Sequence, residues 1–240
     1  MSTTIEVPKT SFEPADPEAE PLVLENGARM SREEFHRLYE QTPEDFRAEL
    51  IGGIVYVASP LRRTHEVGHF DLTTLFGVYK FQTPGVEGGD NGTLLLGADS
   101  EPQPDLYLRI LPEYGGQSRT TVDDDVEGAP ELVVEIALSS RSLDLNDKRR
   151  DYAKYGAREY IVVVPRAGIV AWFDLTVDCE IPIPDDGILK SRMFPGLWLS
   201  VPAILKKDWN AAMTTLHMGL QSPEHQAFVE QLAQRSDASQ

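Results

Sequence analysis

A single cysteine, Cys179, is the only thiol in 240 residues. One chain can therefore build neither a disulfide framework nor a zinc site made of cysteines. That scarcity suits a reducing compartment, and a cytoplasmic location is expected. The opening stretch, "MSTTIEVPKT", has no basic flank followed by an apolar run, so no secretory signal is expected. No apolar stretch approaches the length that spans a bilayer, so no membrane is expected among the partners. Positive charge is scarce too. The chain has 22 Lys and Arg against 39 Asp and Glu, a formal net charge of -17 and a pI near 4.6. Such a chain repels nucleic acid and anionic membranes at long range. That counts against a non-specific DNA-binding protein unless a local basic patch overrides it.

What is present suffices for a core, since 41% of the residues are hydrophobic. Residues 1–28 read as a flexible acidic extension, rich in Asp and Glu with Pro8, Pro14, Pro17 and Pro21 and too poor in apolar residues to pack. Residues 29–210 read as the folded domain and 211–240 as a helical C-terminal tail. "MSREEFHRLYEQ" predicts a helix whose N-cap is Ser31, with Glu34 completing a capping box. "AELIGGIVYVAS" predicts two strands around a Gly52-Gly53 turn. A helix is expected over "HEVGHFDLTTLFGVYKF", then strands at "GTLLLG", "PDLYLRI" and "PELVVEIAL". The last of these is apolar on both faces, as the central strand of a covered sheet is. "TTVDDDVEGAP" reads as an exposed acidic loop, and "LDLNDKRRDYAKYGA" as a helix starting near Leu145 and stopped by Gly156. "REYIVVVP" and "IVAWFDL" follow as strands, and "DWNAAMTTL" and residues 224–234 as helices. Helices interleaved with strands around a buried central strand indicate an α/β fold, a mixed sheet flanked by helices.

Two constellations carry chemistry. The first is His65-Glu66-Val67-Gly68-His69, the H-E-x-x-H spelling of zinc hydrolases, in which two imidazoles share a helical face and the Glu is the general base. Such a site needs a third protein ligand. The longer form of the motif fails, because Leu72 and Leu75 stand where its Gly and third His belong. Glu87, in the Gly-rich loop expected at "PGVEGGDNG", is a distant candidate. The second constellation is Asp105 in "QPDLYLRI", Glu135 in "PELVVEIA" and Lys148 in "DLNDKRRDY". Carboxylates at the ends of neighbouring strands with a lysine near them suit a hard divalent cation such as Mg²⁺ or Mn²⁺. Glu135 carries the argument, because a carboxylate in an apolar strand is costly unless it is paired or bound to metal. The plain alternative for Lys148 is a helical ion pair with Asp144. Between residues 141 and 166 seven Lys and Arg face four acids, a local basic strip that would suit a phosphodiester backbone.

The segments "FRAELIGGIVYVASP", "QPDLYL", "LVVEIALSSRSLDLNDKRRDYAKYGAREYIVV" and "FPGLWL", with His65 after the first, fall in the order and spacing of a known family. The chain resembles the Uma2 family of endonucleases, within the PD-(D/E)xK nuclease superfamily. The resemblance implies a restriction-endonuclease-like fold and metal-dependent hydrolysis of nucleic acid, most of all DNA, by a homodimer. It implies that Asp105 and Glu135 are metal ligands, that Lys148 is catalytic and that Glu49 assists them. It also implies that His65 contacts phosphate and that Tyr152 lines the pocket or packs beside it. The superfamily lysine stands two residues after the Glu, where this chain has Ala137, so Lys148 would replace it from the following helix. Without that replacement the chain would be a non-cutting interaction module on the same fold.

Overall fold

A computed structural model describes residues 24–43, 45–58, 63–137 and 141–238, without the side chains of 63–66. Most of the expected extension, residues 1–23, lies outside the described residues. In chain order the elements are α1 (Arg32–Tyr39), β1 (Ala48–Ile51), β2 (Ile54–Val57), α2 (Arg63–Phe81), β3 (Val86–Gly89), β4 (Leu94–Leu95) and β5 (Leu106–Ile110). After a 3-10 turn at Pro112–Tyr114 come β6 (Arg119–Thr120), β7 (Val126–Glu127) and β8 (Leu132–Ile136). A π-helical turn, Leu143–Lys148, runs straight into α3 (Arg149–Lys154). The chain closes with β9 (Glu159–Val164), β10 (Ile169–Asp174), β11 (Cys179–Glu180), β12 (Ile188–Lys190), β13 (Trp198–Ser200), α4 (Val201–Lys206), α5 (Trp209–Leu220) and α6 (Pro223–Ala238).

The fold is α/β, a mixed sheet flanked by helices, as the sequence pattern implies. The main sheet has the order β11-β10-β9-β8-β5-β3, and within it only β8 and β9 run parallel. Strand β8 is buried along its whole length and lies at the centre of the order. Its alternate residues serve two layers. Leu132, Val134 and Ile136 face a cluster with Leu75 and Tyr79 of α2, Leu216 of α5 and Leu232 of α6. Val133 and Ala137 face a second cluster with Tyr152 of α3, Tyr160 of β9 and Leu94 and Val126 of the small β4-β7-β6 sheet. Helices α5 and α6 place Ala212, Leu216, Phe228 and Leu232 in the first of these clusters.

The β1–β2 hairpin and α1 bury a third, smaller cluster of Met30, Phe35, Ala48, Leu50 and Val55. Ser31 caps α1 with Glu34 reaching back, the capping box read from the sequence. The hairpin turn uses Gly52 and Gly53 at φ 56° and 77°, conformations that side chains resist. The hairpin is tied to the rest of the chain by Glu101, whose N–H and C=O both bond Leu50.

Four local expectations are corrected. "PGVEGGDNG" is no loop throughout, since Val86–Gly89 forms the edge strand β3. "GTLLLG" shrinks to the two-residue β4, and the acidic loop contains the short β7, whose Val126 is buried. The helix expected from Leu145 begins earlier and is π-wound over its first turn.

Candidate active site

The site lies at the C-terminal end of β8, where the sheet meets the hairpin and the π-turn. Glu135 is the penultimate residue of β8 and points into the same layer as Val133 and Ala137. Its side chain is 5% exposed. Burial costs a carboxylate several kcal/mol unless it is paired, and Glu135 is paired twice on one oxygen. Lys148 Nζ donates to Oε1 at 3.0 Å and Tyr152 O–H donates to the same atom at 3.0 Å. The lysine and tyrosine are four residues apart across the π-to-α junction and reach one carboxylate together.

Glu49 arrives from β1. Lys148 Nζ lies 2.8 Å from its Oε1 and 2.8 Å from its Oε2. The Gln103 N–H donates to Oε1 at 2.7 Å and fixes that side chain from the segment leading to β5. The same ammonium stands 3.9 Å from Asp144 Oδ1, so the expected helical ion pair is its longest contact among these carboxylates. Asp105, immediately before β5, accepts the Ile136 N–H on Oδ2 at 2.6 Å, a bridge between neighbouring strands beside Glu135.

Three carboxylates thus face one ammonium in a buried pocket, and Asp105 stands beside Glu135. Burial pushes the Glu135 carboxyl well above the usual range. The Lys148 charge opposes that, and Asp105, Asp144 and Glu49 add to the rise. Burial alone would lower the Lys148 ammonium, but Glu135, Glu49 and Asp144 together hold it above its ordinary value. Lys148 stays charged. Ala137, at the superfamily lysine's position, is fully buried in the second cluster, and the lysine comes instead from the π-turn.

The structure therefore brings Glu49, Asp105, Glu135 and Lys148 together. His65 is on the first turn of α2, but its side chain lies outside the described residues. His69, the second histidine of the H-E-x-x-H motif, reaches the site from α2. Its Nε2 donates to the Asp105 main-chain carbonyl at 2.8 Å. Glu87, the distant zinc candidate, accepts from Arg109 Nε at 2.7 Å on the β3–β5 pair. Among the described residues no three His, Cys, Asp or Glu are arranged as a ready-made metal cage.

The basic strip is largely answered by the chain's own acids. Lys148 is buried, Lys154 contacts Asp99 at 2.8 Å, Arg150 lies 3.4 Å from Asp147 and Arg149 lies 3.6 Å from Asp178. No helix among the described residues is long and apolar enough to cross a membrane.

Comparison with known proteins bears on the fold and the family. One solved structure, titled as a "putative nuclease belonging to DUF820" from Anabaena variabilis, shares the fold with a TM-score of 0.56. It is 14% identical, and the match covers 72% of this chain and 97% of that one. No functionally curated protein matches the chain. The family model Uma2, described as "Putative restriction endonuclease", matches residues 32–202, from the first residue of α1 to the second of α4. That span holds every residue of the site, and the chain belongs to the Uma2 family.

Proposed function

We propose that the protein is a metal-dependent endonuclease that hydrolyses phosphodiester bonds, with DNA as substrate and the cytoplasm as its place of action. One observation carries this reading. Lys148 Nζ lies within 3.0 Å of both Glu49 and Glu135, from segments 99 and 13 residues away, beside Asp105. A purely structural ion pair needs one carboxylate. Three against one ammonium, with Asp105 alongside, leave negative charge in excess, and the donor chemistry suits a hard cation. Asp105 and Glu135 would hold Mg²⁺ or Mn²⁺ through one or two carboxylate oxygens, the number such ions commonly take from protein. When bound, the ion supplies charge neutralisation at a phosphate oxygen and lowers the pKa of a water.

The chain's own residues do the rest. Lys148, held by Glu49 and Glu135, presents a positive charge where the attacked phosphate gains negative charge. Glu49, fixed by the Gln103 N–H, sets the lysine's place and can accept a proton from the attacking water. Tyr152 keeps Glu135 Oε1 turned toward the lysine. His65 is assigned to the phosphate by family resemblance.

Cleavage of plasmid and linear DNA with Mg²⁺ or Mn²⁺ tests the reading. Wild type cuts, and Glu135→Gln and Lys148→Met each reduce the rate by roughly a hundredfold or more, the scale of losing one transition-state donor. Failure of well-folded wild type to cut any DNA or RNA, with no binding of either metal, would leave the second reading, a non-cutting interaction module. That reading is favoured by the neutralised basic strip.

A further inference from the structure

The turn that delivers Lys148 is wound as a π-helix over Leu143–Lys148. An i→i+5 turn holds more residues than an α turn, so it rotates Lys148 to a different face from the one α winding would give. Such turns are rare and collect at functional sites. Something must hold this one open.

Tyr160 is the neighbour placed to do so. It lies on β9, opposite Val133 in the parallel pairing with β8, and is fully buried. Its O–H donates to the Asp144 carbonyl, inside the π-turn, at 2.9 Å. A phenylalanine would fill the same aromatic nest, between Tyr152 at 5.3 Å and Phe173 at 6.3 Å. A buried hydroxyl is costly unless it has a partner, so the hydroxyl marks the hydrogen bond as the specific feature. The neighbouring ring, Tyr152, grips Glu135 directly. One aromatic pair thereby holds both members of the Glu135–Lys148 contact, the glutamate by its carboxylate and the lysine through its turn.

We propose that Tyr160 is a positioning residue, whose hydroxyl fixes the π-turn in the register that brings Lys148 to Glu135 and Glu49. The proposal rests on the nuclease reading only for its catalytic consequence, and the test separates the two. Tyr160→Phe and Tyr152→Phe are made in the full chain and compared by amide hydrogen exchange, by amine acylation of Lys148 and by DNA cleavage with Mg²⁺. In Tyr160→Phe, amides 143–149 exchange roughly five- to tenfold faster, the scale of one lost hydrogen bond. Lys148 is acylated faster, while β8 and β9 keep their protection. Tyr152→Phe leaves the amides of the turn unchanged. In cleavage, Tyr160→Phe lowers kcat by roughly 10- to 100-fold at unchanged KM, the cost of a small misplacement. A merely structural role would lower the melting temperature and leave kcat intact. Unchanged exchange at 143–149, or a rise spread over the whole sheet, overturns the proposal. If wild type cuts nothing, the nuclease reading falls, and the exchange comparison still decides whether Tyr160 holds the turn.

Discussion

At the scale of residues, the centre of the molecule is a charge arrangement that stabilises only as a set. Removing one partner of a buried ion pair strands the other, and the cost is about 3–5 kcal/mol. Lys148→Met is therefore expected to lower unfolding stability by about that amount in urea melts, although a methionine fills similar volume. Pairing it with Glu135→Leu should recover part of the loss, because the stranded carboxylate is gone. A second buried acid gives a pH test away from this cluster. Asp151 is pushed up to about 6, chiefly by burial, against hydrogen bonds from Ser100 and the Gly52 N–H. Its unfolded value is about 3.9. Between those values the folded chain keeps a proton that the unfolded chain has lost, so this group's contribution falls as pH rises from about 4 to about 6. In Asp151→Asn that slope is absent. Urea midpoints at pH 4 and pH 7.5 should shift in the variant's favour at the higher pH. Of the site itself, Glu135 was legible because a charge in an apolar strand needs a reason. Asp105, Lys148 and Glu49 were legible through their order along the chain. His69 was not, because a histidine on a helix has no sequence mark of the carbonyl it will meet 36 residues on.

At the scale of elements, the periodic segments were readable and the exceptions to periodicity were not. The capping box of α1, the Gly52-Gly53 hairpin and β8 are local patterns, and local rules decide them. Strand β3 was hidden because its glycines argue for a loop. It exists because β5 offers an edge to pair with. A side chain on Gly89 would collide with the Tyr107 ring, at 2.4 Å. The π-turn is invisible for a related reason: its extra width is set by Tyr160 and the site. Helix α5 contains a comparable case in Gly219. Gly to Ala inside a helix normally stabilises by about 1 kcal/mol. Here an added Cβ would lie 2.2 Å from the Gly196 carbonyl oxygen and 2.7 Å from Trp198. Gly219→Ala should instead lower the melting temperature, with a loss of about 1–3 kcal/mol from overpacking. A rise would show that α5 sits more loosely against β13.

At the scale of the whole molecule, the C-terminal helices are part of what makes the sheet stable. Leu216 and Leu232 are fully buried in the cluster that covers one face of β8. A chain ending at residue 208 would expose that face. It is expected to lose cooperative unfolding and to aggregate, as read by circular dichroism and gel filtration. The α/β class was legible in the alternation of helix and strand patterns. The strand order was not, because β3 lies at one edge and β11 at the other by pairing alone.

The parallel pair of β8 and β9 has one more consequence. The segment joining them is the crossover that any parallel pair requires, and here the crossover carries Lys148 and Tyr152. Glu135, Lys148, Tyr152 and Tyr160 thus sit on one continuous β-α-β stretch, while Glu49 and Asp105 come from elsewhere. Half of the site is consequently a sequence-local module. It can form early, on short loops, before the hairpin docks. Because the lysine rides on a connection, its distance from Glu135 along the chain can change by insertion or deletion without shifting any strand's register. A lysine built into the strand itself, at position 137, would have no such freedom.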